Sequence, residues 1–455
     1  MALLDTATFR ELLRLSLPMV VSQGTFAVMV FTDRLFMSYI DATHIAAALG
    51  GGVAFVFTIS LVMGLITYAN ALVAQYYGAG ELRKCSRVTT QGIIIALCST
   101  PLLVVAALGV GESFALLGHD PAQVAIERTY FYVLMWGAFF TLVKACMACY
   151  FTGIGRTRVV MIVDLAGAAL NVPLSWVLIF GKSGLPALGI SGAGLGTVVA
   201  TLFSIFLYLY FYLGPEHRRQ FAVDDAWRFD RAIMRRFLRL GAPSGLESFM
   251  NTATFNVFLL LFQSYGVVQG AAMAIVFNWD ILSFIPMMGL NIGVMSLIGR
   301  FVGAADMARA RQVIVAGFTV AFAYSGTLAL FFLLFRGLLV AVFATPDADF
   351  AQIQALAEYM MVGLVTYMLA DATILIAGGV LRGAGDTRWI MITSTSVHWV
   401  MLVAQYLIIV EYQMGPKVSW WLFVAMLLVL AAIYVMRLAS NRWRQPERLA
   451  QVMRE

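Results

Sequence analysis

Twelve apolar stretches, each about 20 residues or longer, constrain the fold of this chain more than any other feature. A helix needs about 20 apolar residues to cross the hydrocarbon core of a bilayer. The chain is 61% hydrophobic and only 12% charged, whereas a soluble domain is about 25% charged. No soluble fold of this length hides so much apolar surface. The sequence therefore predicts an all-α polytopic membrane protein.

The predicted organisation is twelve transmembrane helices in two six-helix lobes. The spans cover residues 15–40, 46–76, 89–110, 129–152, 159–181, 189–213, 239–265, 268–298, 312–340, 353–381, 389–411 and 418–440. The longest polar segment, 214–238, follows the sixth span. We therefore expect an N-terminal lobe at 1–213, a cytoplasmic linker at 214–238, a C-terminal lobe at 239–440 and a cytoplasmic tail at 441–455.

Lysine and arginine predict the orientation of the spans. With the N-terminus inside, 24 of the 30 basic residues lie in inner segments. Basic residues accumulate on the cytoplasmic side, so we expect a multi-pass inner-membrane protein with both termini cytoplasmic. This distribution explains the net charge of +6 without a nucleic acid. The expected partners are the lipid bilayer and small organic substrates, and a monomer is expected.

The two halves of the chain repeat one another. Pro18 and Pro243 are related by a numbering offset of 225 (243 − 18), and the same offset relates Met63-Gly64-Leu65 to Met288-Gly289-Leu290. Further along, the turn at 382–388 echoes the turn at 152–158, at an offset of 230 (383 − 153). Six spans per copy is an even number, so both copies run in the same direction. The sequence predicts a pseudo-twofold axis along the membrane normal.

Several ionisable residues lie inside predicted spans, where each costs roughly 2.5–3.5 kcal/mol to insert and indicates function by default. They are Asp33, Arg34, Lys144, Asp164, Glu247, Asp280 and Asp371. At about 1.5 Å per residue, Glu247, Asp280 and Asp371 are expected at similar depth, with the latter two near the midplane. Carboxylates at that depth can bind a hard cation or carry a proton. The alternative is an acid paired with a neighbouring base.

Neutral polar and soft apolar residues accompany these acids. Asn171 and Ser175 share a helix face, and Asn251 and Asn278 lie close in sequence to the acids of the second half. Met250, Met287 and Met288 offer adaptable walls. We expect these asparagines and methionines of the second half to line a substrate cavity, although interhelical packing explains each one equally well. No catalytic pair, nucleotide motif or metal-ligand set is evident, so neither an enzyme nor a cofactor is expected.

In the order of its motifs over the twelve spans, the chain resembles a multidrug and toxic compound extrusion (MATE) family transporter, closest to the NorM-like branch. The resemblance rests on Pro18 with Thr32-Asp33, Gln75-Tyr76-Tyr77-Gly78-Ala79-Gly80, Gly153-Ile154-Gly155, Leu170-Asn171, Gly192-Ala193-Gly194-Leu195-Gly196-Thr197, and Asp371 with Leu381-Arg382-Gly383. It covers nearly the whole chain.

The resemblance implies drug efflux driven by inward Na⁺ or H⁺. Asp33 matches the first-lobe acid, with Asn171 and Thr197 as neighbouring polar groups, and Asp371 matches the second-lobe acid. Pro18 matches a proline that bends the first helix. A second acid used in some members is replaced here by Ser175. Glu247 lies closer to its proline than the span-seven acid of the family does.

These features predict a cation-coupled antiporter that exports bulky, often cationic organic compounds by alternating access of the two lobes. One alternative is a flippase for lipids or lipid-linked oligosaccharides, which would require a cationic groove. A major-facilitator transporter shares the six-plus-six arrangement but matches only weakly in its loops. An alternative of another class is a membrane-embedded enzyme that uses acids alone.

Overall fold

Helices joined by short turns form almost the whole chain. The structure is a computed structural model that describes residues 5–117, 120–182, 184–344 and 350–454, and these residues contain no β-strand. The α-helices are α1 Thr6–Ser38, α2 Ala42–Thr67, α3 Ala69–Gly78, α4 Leu82–Ser113, α5 Pro121–Trp136, α6 Ala138–Gly153, α7 Thr157–Phe180, α8 Ile190–Tyr212, α9 Pro215–Phe221, α10 Arg231–Gln263, α11 Val267–Gly303, α12 Met307–Ala341, α13 Phe350–Gly383, α14 Thr387–Tyr406, α15 Pro416–Ala439 and α16 Pro446–Met453.

Each predicted span corresponds to one long helix or to one pair of helices. The pair α2 and α3 forms the second span, and the pair α5 and α6, bent by 48°, forms the fourth. Within the described residues, ten helical segments are long and apolar enough to cross a membrane, or eleven with the bent pair. The remaining span, α10, is less apolar because it carries polar residues such as Glu247. The all-α membrane class is confirmed.

The turns between spans preserve the duplication in their backbone. Gly155 and Gly385, related by the offset of 230 (385 − 155), both have φ of +81°. Gly80 and Ala305, related by the offset of 225 (305 − 80), have φ of +76° and +55°. The left-handed region favours glycine because a Cβ atom crowds the following carbonyl oxygen. The two predicted glycine-rich stretches are therefore tight turns that connect spans, at equivalent places in the two copies.

The helices group into two compact units. The N-terminal unit contains residues 21–249 together with 303–305 and 454–455, and the C-terminal unit contains 1–20, 250–302 and 306–453. Helices α1 and α10 are therefore each divided between the units, and the last residue of α11, Gly303, falls in the N-terminal unit. The units differ from the predicted lobes 1–213 and 239–440 chiefly at the first part of α1 and of α10. Residues up to 20 of α1 belong to the C-terminal unit, and residues up to 249 of α10 belong to the N-terminal unit. The predicted lobe boundaries themselves stay a prediction.

The predicted linker contains a short helix, α9, that packs against the turn between α6 and α7 in the N-terminal unit. In α9, Glu216 forms an ion pair with Arg156 of the turn before α7. His217 Nδ1 lies 2.8 Å from the Tyr150 hydroxyl, and Arg156 donates to His217 Nε2 at 3.3 Å. Burial and the neighbouring guanidinium lower the pKa of His217 to about 4. The imidazole is therefore neutral and joins α6, α9 and the turn.

The predicted tail contains an equivalent helix in the C-terminal unit. Asp386, in the turn before α14, is buried and accepts from Arg437 Nη2 at 2.8 Å and from Arg448 of α16. Burial raises the pKa of Asp386, against the lowering effect of the two arginines. The Pro-Glu pairs that begin α9 and α16 are related by an offset of 231 (446 − 215). The repeat therefore extends beyond the spans, but with the charges of turn and helix reversed.

An aromatic cluster organises the core of the C-terminal unit. Phe258 and Phe423 stack with ring centroids 4.9 Å apart, and Trp420 Nε1 donates to Met360 O at 3.1 Å. Tyr367 packs edge-on against Phe423 at 5.8 Å and is almost fully buried. Because Tyr367 lies one helical turn before Asp371 on α13, this packing holds the acid-bearing face of that helix toward the interior.

The turn geometry makes two opposite predictions for stability. We expect Gly155→Ala to destabilise the protein and Ala305→Gly to stabilise it, each by about 1 kcal/mol, because only the glycine avoids the Cβ clash in the left-handed region. Thermal unfolding of the purified variants in detergent measures both effects. A change of the same sign in the two variants would contradict this explanation.

Candidate functional site

Asp33 is the buried end of a hydrogen-bonded chain in the N-terminal unit. It lies on α1 with 6% of its surface exposed. Thr197 Oγ1 on α8 donates to Asp33 Oδ2 at 3.2 Å, and Asn171 Nδ2 on α7 donates to Thr197 Oγ1 at 3.4 Å. The structure thus brings together three of the predicted coupling residues from three helices.

Oxygen atoms around Asp33 retain unused hydrogen-bonding capacity. Ser175, one turn beyond Asn171, lies beside the Asp33 carboxylate. Asn171 Oδ1 is buried without a hydrogen-bond partner among the described residues, and Ser175 Oγ and Asp33 Oδ1 approach each other without reaching full hydrogen-bond geometry. Buried polar atoms normally find partners, so unsatisfied ones suggest a missing ligand. A carboxylate among neutral oxygens is a donor set that suits a hard cation, and the carboxylate alone can hold a proton.

A second pair of acids shares one small cavity in the C-terminal unit. Asp280 on α11 and Asp371 on α13 line it together with Ser283, Ser325 and Met287. The space available to the centre of a water molecule is about 10 Å³, enough for about one water. The two carboxylates interact electrostatically. Two negative charges at one small site repel each other unless a proton or a cation is shared between them.

Glu247 does not join these two acids. It is buried on α10 and belongs to the N-terminal unit, and it is absent from the residues that line the Asp280–Asp371 cavity. The prediction of three second-half acids at similar depth therefore resolves into one pair and one separate residue. The physical reason is that α10 passes from one unit to the other between residues 249 and 250.

The residues predicted to line a substrate cavity do not form one wall. Met287 lines the acid cavity, but Asn278 is exposed and donates to Ala274 O of its own helix at 2.8 Å. Asn251 Nδ2 donates to Ser394 Oγ on α14 at 2.8 Å. Met250 and Met288 are only partly buried. Helical spacing in the sequence did not reveal which of these side chains converge.

Pro18 lies inside α1, which continues without a break to Ser38. It is buried, and the helix enters the N-terminal unit three residues later, at Val21. Proline removes one backbone hydrogen bond and weakens a helix locally. The bend at Pro18 stays a prediction. The proline nevertheless lies close to the point where α1 changes unit.

Sequence reasoning missed Tyr367 and Ser325 near the acid pair. The Tyr367 side chain interacts with Asp280, and Ser325 lines the cavity. Tyr367 precedes Asp371 by four residues, so helical spacing on α13 offered a signal for it. Ser325 lies on α12, and only the packing of α12 against the other helices places it there.

Comparison with known protein families gives two adjacent matches. A family model described as MatE matches residues 18–177 and again residues 243–407. The starts of the two matches differ by 225 (243 − 18) and their ends by 230 (407 − 177). These are the two offsets found within the sequence itself, so the duplication is confirmed.

Similar curated proteins cover nearly the full chain. Multidrug resistance protein MdtK of Yersinia pseudotuberculosis is 27% identical over 459 residues, which span 98% of this chain and 97% of the relative. MdtK of Edwardsiella ictaluri is also 27% identical, over 452 residues and 96% of each chain.

Solved structures share the fold at low sequence identity. The eukaryotic MATE transporter AtDTX14 has a TM-score of 0.86 and 16% identity, with 98% of each chain covered. A MOP superfamily transporter from Pyrococcus furiosus has a TM-score of 0.85 and 18% identity, with 96% of this chain and 97% of that chain covered. These likenesses confirm the predicted fold of twelve membrane helices in two six-helix lobes.

The acid pair predicts an unusual pH dependence of stability. We expect Asp280→Asn to raise the melting temperature at pH 8 by about 2–4 °C, the shift that roughly 1 kcal/mol produces in a domain of this size, because one of two repelling charges is removed. The wild type should lose stability as the pH rises and both acids ionise, whereas the variant should lose less. Thermal melts between pH 5 and pH 8 test this.

The matched control for this variant is Glu411→Gln, which removes an exposed acid from the same unit. Its melting temperature should follow that of the wild type. If Asp280→Asn melts below the wild type at every pH, repulsion between Asp280 and Asp371 does not contribute measurably to the stability of the protein.

Proposed function

The chain belongs to the MatE family, and from that premise we propose that it exports bulky, often cationic organic compounds in exchange for inward Na⁺ or H⁺. As a member of this family it is an integral membrane transporter and not an enzyme. The proposal extends to alternating access of the two lobes, to an inner-membrane location and to cytoplasmic termini. The protein would act as a monomer, without a cofactor.

The relatives support the kind of cargo. The MdtK proteins of two bacteria are named for multidrug resistance and match this chain over nearly its whole length. A transporter of varied compounds needs adaptable walls, and thioether side chains supply them because they are flexible and polarisable. Met287 and Met368 line the cavity beside Asp280 and Asp371, so a soft surface and negative charge occur together there.

The observation that carries the coupling proposal is the buried Asp33 carboxylate with its unsatisfied oxygen neighbours. A proton or Na⁺ bound there would compensate the charge that the membrane interior penalises. Binding would also compete for the Asp33 oxygen that now accepts from Thr197. A ligand shifts a conformational equilibrium only through different affinities for the two states. The Asp33–Thr197–Asn171 chain provides a contact that can differ between them.

The Asp280–Asp371 pair supports a second cation-sensitive position in the other unit. Because the two acids repel when both are ionised, a shared proton, a Na⁺ ion or a cationic compound would each relieve the repulsion. Competition between the driving cation and the exported cation for one pair of carboxylates links the two binding events. Such linkage is reciprocal in free energy, as an antiporter requires.

The decisive experiment measures ethidium transport in proteoliposomes under an imposed Na⁺ gradient or pH gradient, each alone. We expect one of the gradients to drive transport. Asp33→Asn and Asp371→Asn should each reduce gradient-driven transport at least tenfold, because neutral amides cannot bind and release the coupling cation. The double variant should show none.

The control is Glu112→Gln. Glu112 is an exposed acid near the C-terminal end of α4, where it pairs with Arg128 of α5. The control variant should transport at the wild-type rate. Full gradient-driven transport by the Asp33→Asn, Asp371→Asn double variant would disprove cation coupling at these acids.

A further inference from the structure

The N-terminal unit contains an ion pair within its spans that the proposed mechanism does not use. Lys144 Nζ on α6 lies 2.9 Å from Asp164 Oδ1 on α7, with side-chain exposures of 27% and 16%. Counted from the turn that joins α6 and α7, the two residues lie roughly 14 Å and 10 Å along their helices. A charge pair at such depth is expensive, and an apolar pair of similar volume often serves packing as well or better. Its presence therefore calls for a specific role.

Asp164 also binds the helix that carries Asp33. The Ser22 hydroxyl on α1 donates to Asp164 Oδ2, and Ser22 is only 3% exposed. Ser22 belongs to the N-terminal unit, which α1 enters at Val21, and it lies one helical turn after Pro18. The Lys144 ammonium compensates the carboxylate charge while the second carboxylate oxygen holds α1.

Helices α1 and α7 each carry a serine and an aspartate eleven residues apart. The serine comes first on α1, and the aspartate comes first on α7. Ser22 and Asp33 are related by an offset of 11 on α1 (33 − 22), and so are Asp164 and Ser175 on α7 (175 − 164). Eleven residues make about three full turns, so each pair lies on one face. Ser22 meets Asp164 at one level, and Asp33 meets Ser175 at the other. The axial and rotational position of α1 at Asp33 is therefore tied to the contact three turns below.

The second repeat uses the same place on its fifth helix. The offset of 230 relates Asp164 to Ser394 (394 − 164), and Ser394 Oγ accepts from Asn251 Nδ2 on α10 at 2.8 Å. Helix α10 is the repeat equivalent of α1, so the fifth span holds the first span in both copies. An ion pair supports this contact in the first copy and not in the second, because Lys144 and Asp164 have Ile374 and Ser394 as their equivalents (374 − 144 and 394 − 164 both give 230).

We propose that Asp164, paired with Lys144 and bonded to Ser22, is a positioning residue that sets the register of α1 on α7 and thereby the affinity of Asp33 for the coupling cation. This inference rests on the proposed function. Without the contact, α1 is free to rotate and slide after Pro18, and the Asp33 carboxylate no longer meets Thr197 and Asn171 in one arrangement. The cation then binds more weakly, while the chemistry at Asp33 is unchanged.

The test compares Ser22→Ala with Thr25→Val in the full-length protein. Thr25 is on the same helix, but its hydroxyl donates to Val21 O of that helix at 2.8 Å, so it makes a matched control whose side-chain hydrogen bond stays within α1. Ethidium transport is measured against the concentration of the driving cation. In Ser22→Ala the half-maximal concentration should rise by about threefold or more, a part of the roughly tenfold or larger effect of losing a hydrogen bond to a charged group, because the loss reaches Asp33 only through the position of α1. The maximal rate should stay within about twofold of the wild type, and Thr25→Val should match the wild type.

A second variant tests whether the contact positions α1 or only fills space between the helices. The double replacement Lys144→Met, Asp164→Leu removes both charges and leaves none unpaired, so the fold should persist. It should shift the half-maximal concentration in the same direction as Ser22→Ala. An unshifted Ser22→Ala, or an equal shift in Thr25→Val, overturns the inference even when Asp33→Asn abolishes transport. If no cation gradient drives the wild type, the proposed function itself fails.

Discussion

A charge inside a membrane span must be compensated, and this constraint organises the polar interior of the protein. An uncompensated ionisable group costs roughly 2.5–3.5 kcal/mol on insertion scales. Asp164 meets the constraint with the Lys144 ammonium. Asp33 accepts from the neutral Thr197 hydroxyl and forms no ion pair within the described residues, and Asp280 shares its cavity with another acid. The acids that lack a basic partner are those at which a mobile cation has a reason to bind, which distinguishes structural from functional charge within one fold.

The duplicated scaffold does not duplicate its chemistry. Spans and turns recur at the same two offsets that relate the two family matches, down to the positive φ of Gly155 and Gly385. The acids inside the spans do not recur, since the equivalents of Asp33 and Asp371 are Phe258 and Thr141. Backbone geometry is preserved because both copies must make the same turns and helix contacts, whereas one acid in the right place is sufficient for a site. Each unit therefore has its own arrangement of acids on a shared plan.

The first helix joins these themes. Pro18 weakens α1 close to the residue at which it enters the N-terminal unit, Ser22 anchors it to α7, and Asp33 lies three turns further along. A rigid helix transmits position along its axis, so an anchor at one level determines the geometry at another. Asp33, proposed to bind the cation, and Ser22, proposed to position it, therefore move together on α1, although they belong to separate hydrogen-bonded groups.

The amino-acid sequence by itself determined the membrane class, the twelve spans, the repeat and the identity of the acids, because span length, apolar composition and residue identity are local properties. Only the tertiary structure decided which acids meet. Asp280 and Asp371 share a cavity while Glu247 lies in the other unit, a distinction that depth along a helix cannot make. The reason is rotational: spacing places residues on a face of their own helix, but the partner of that face depends on how separate helices pack.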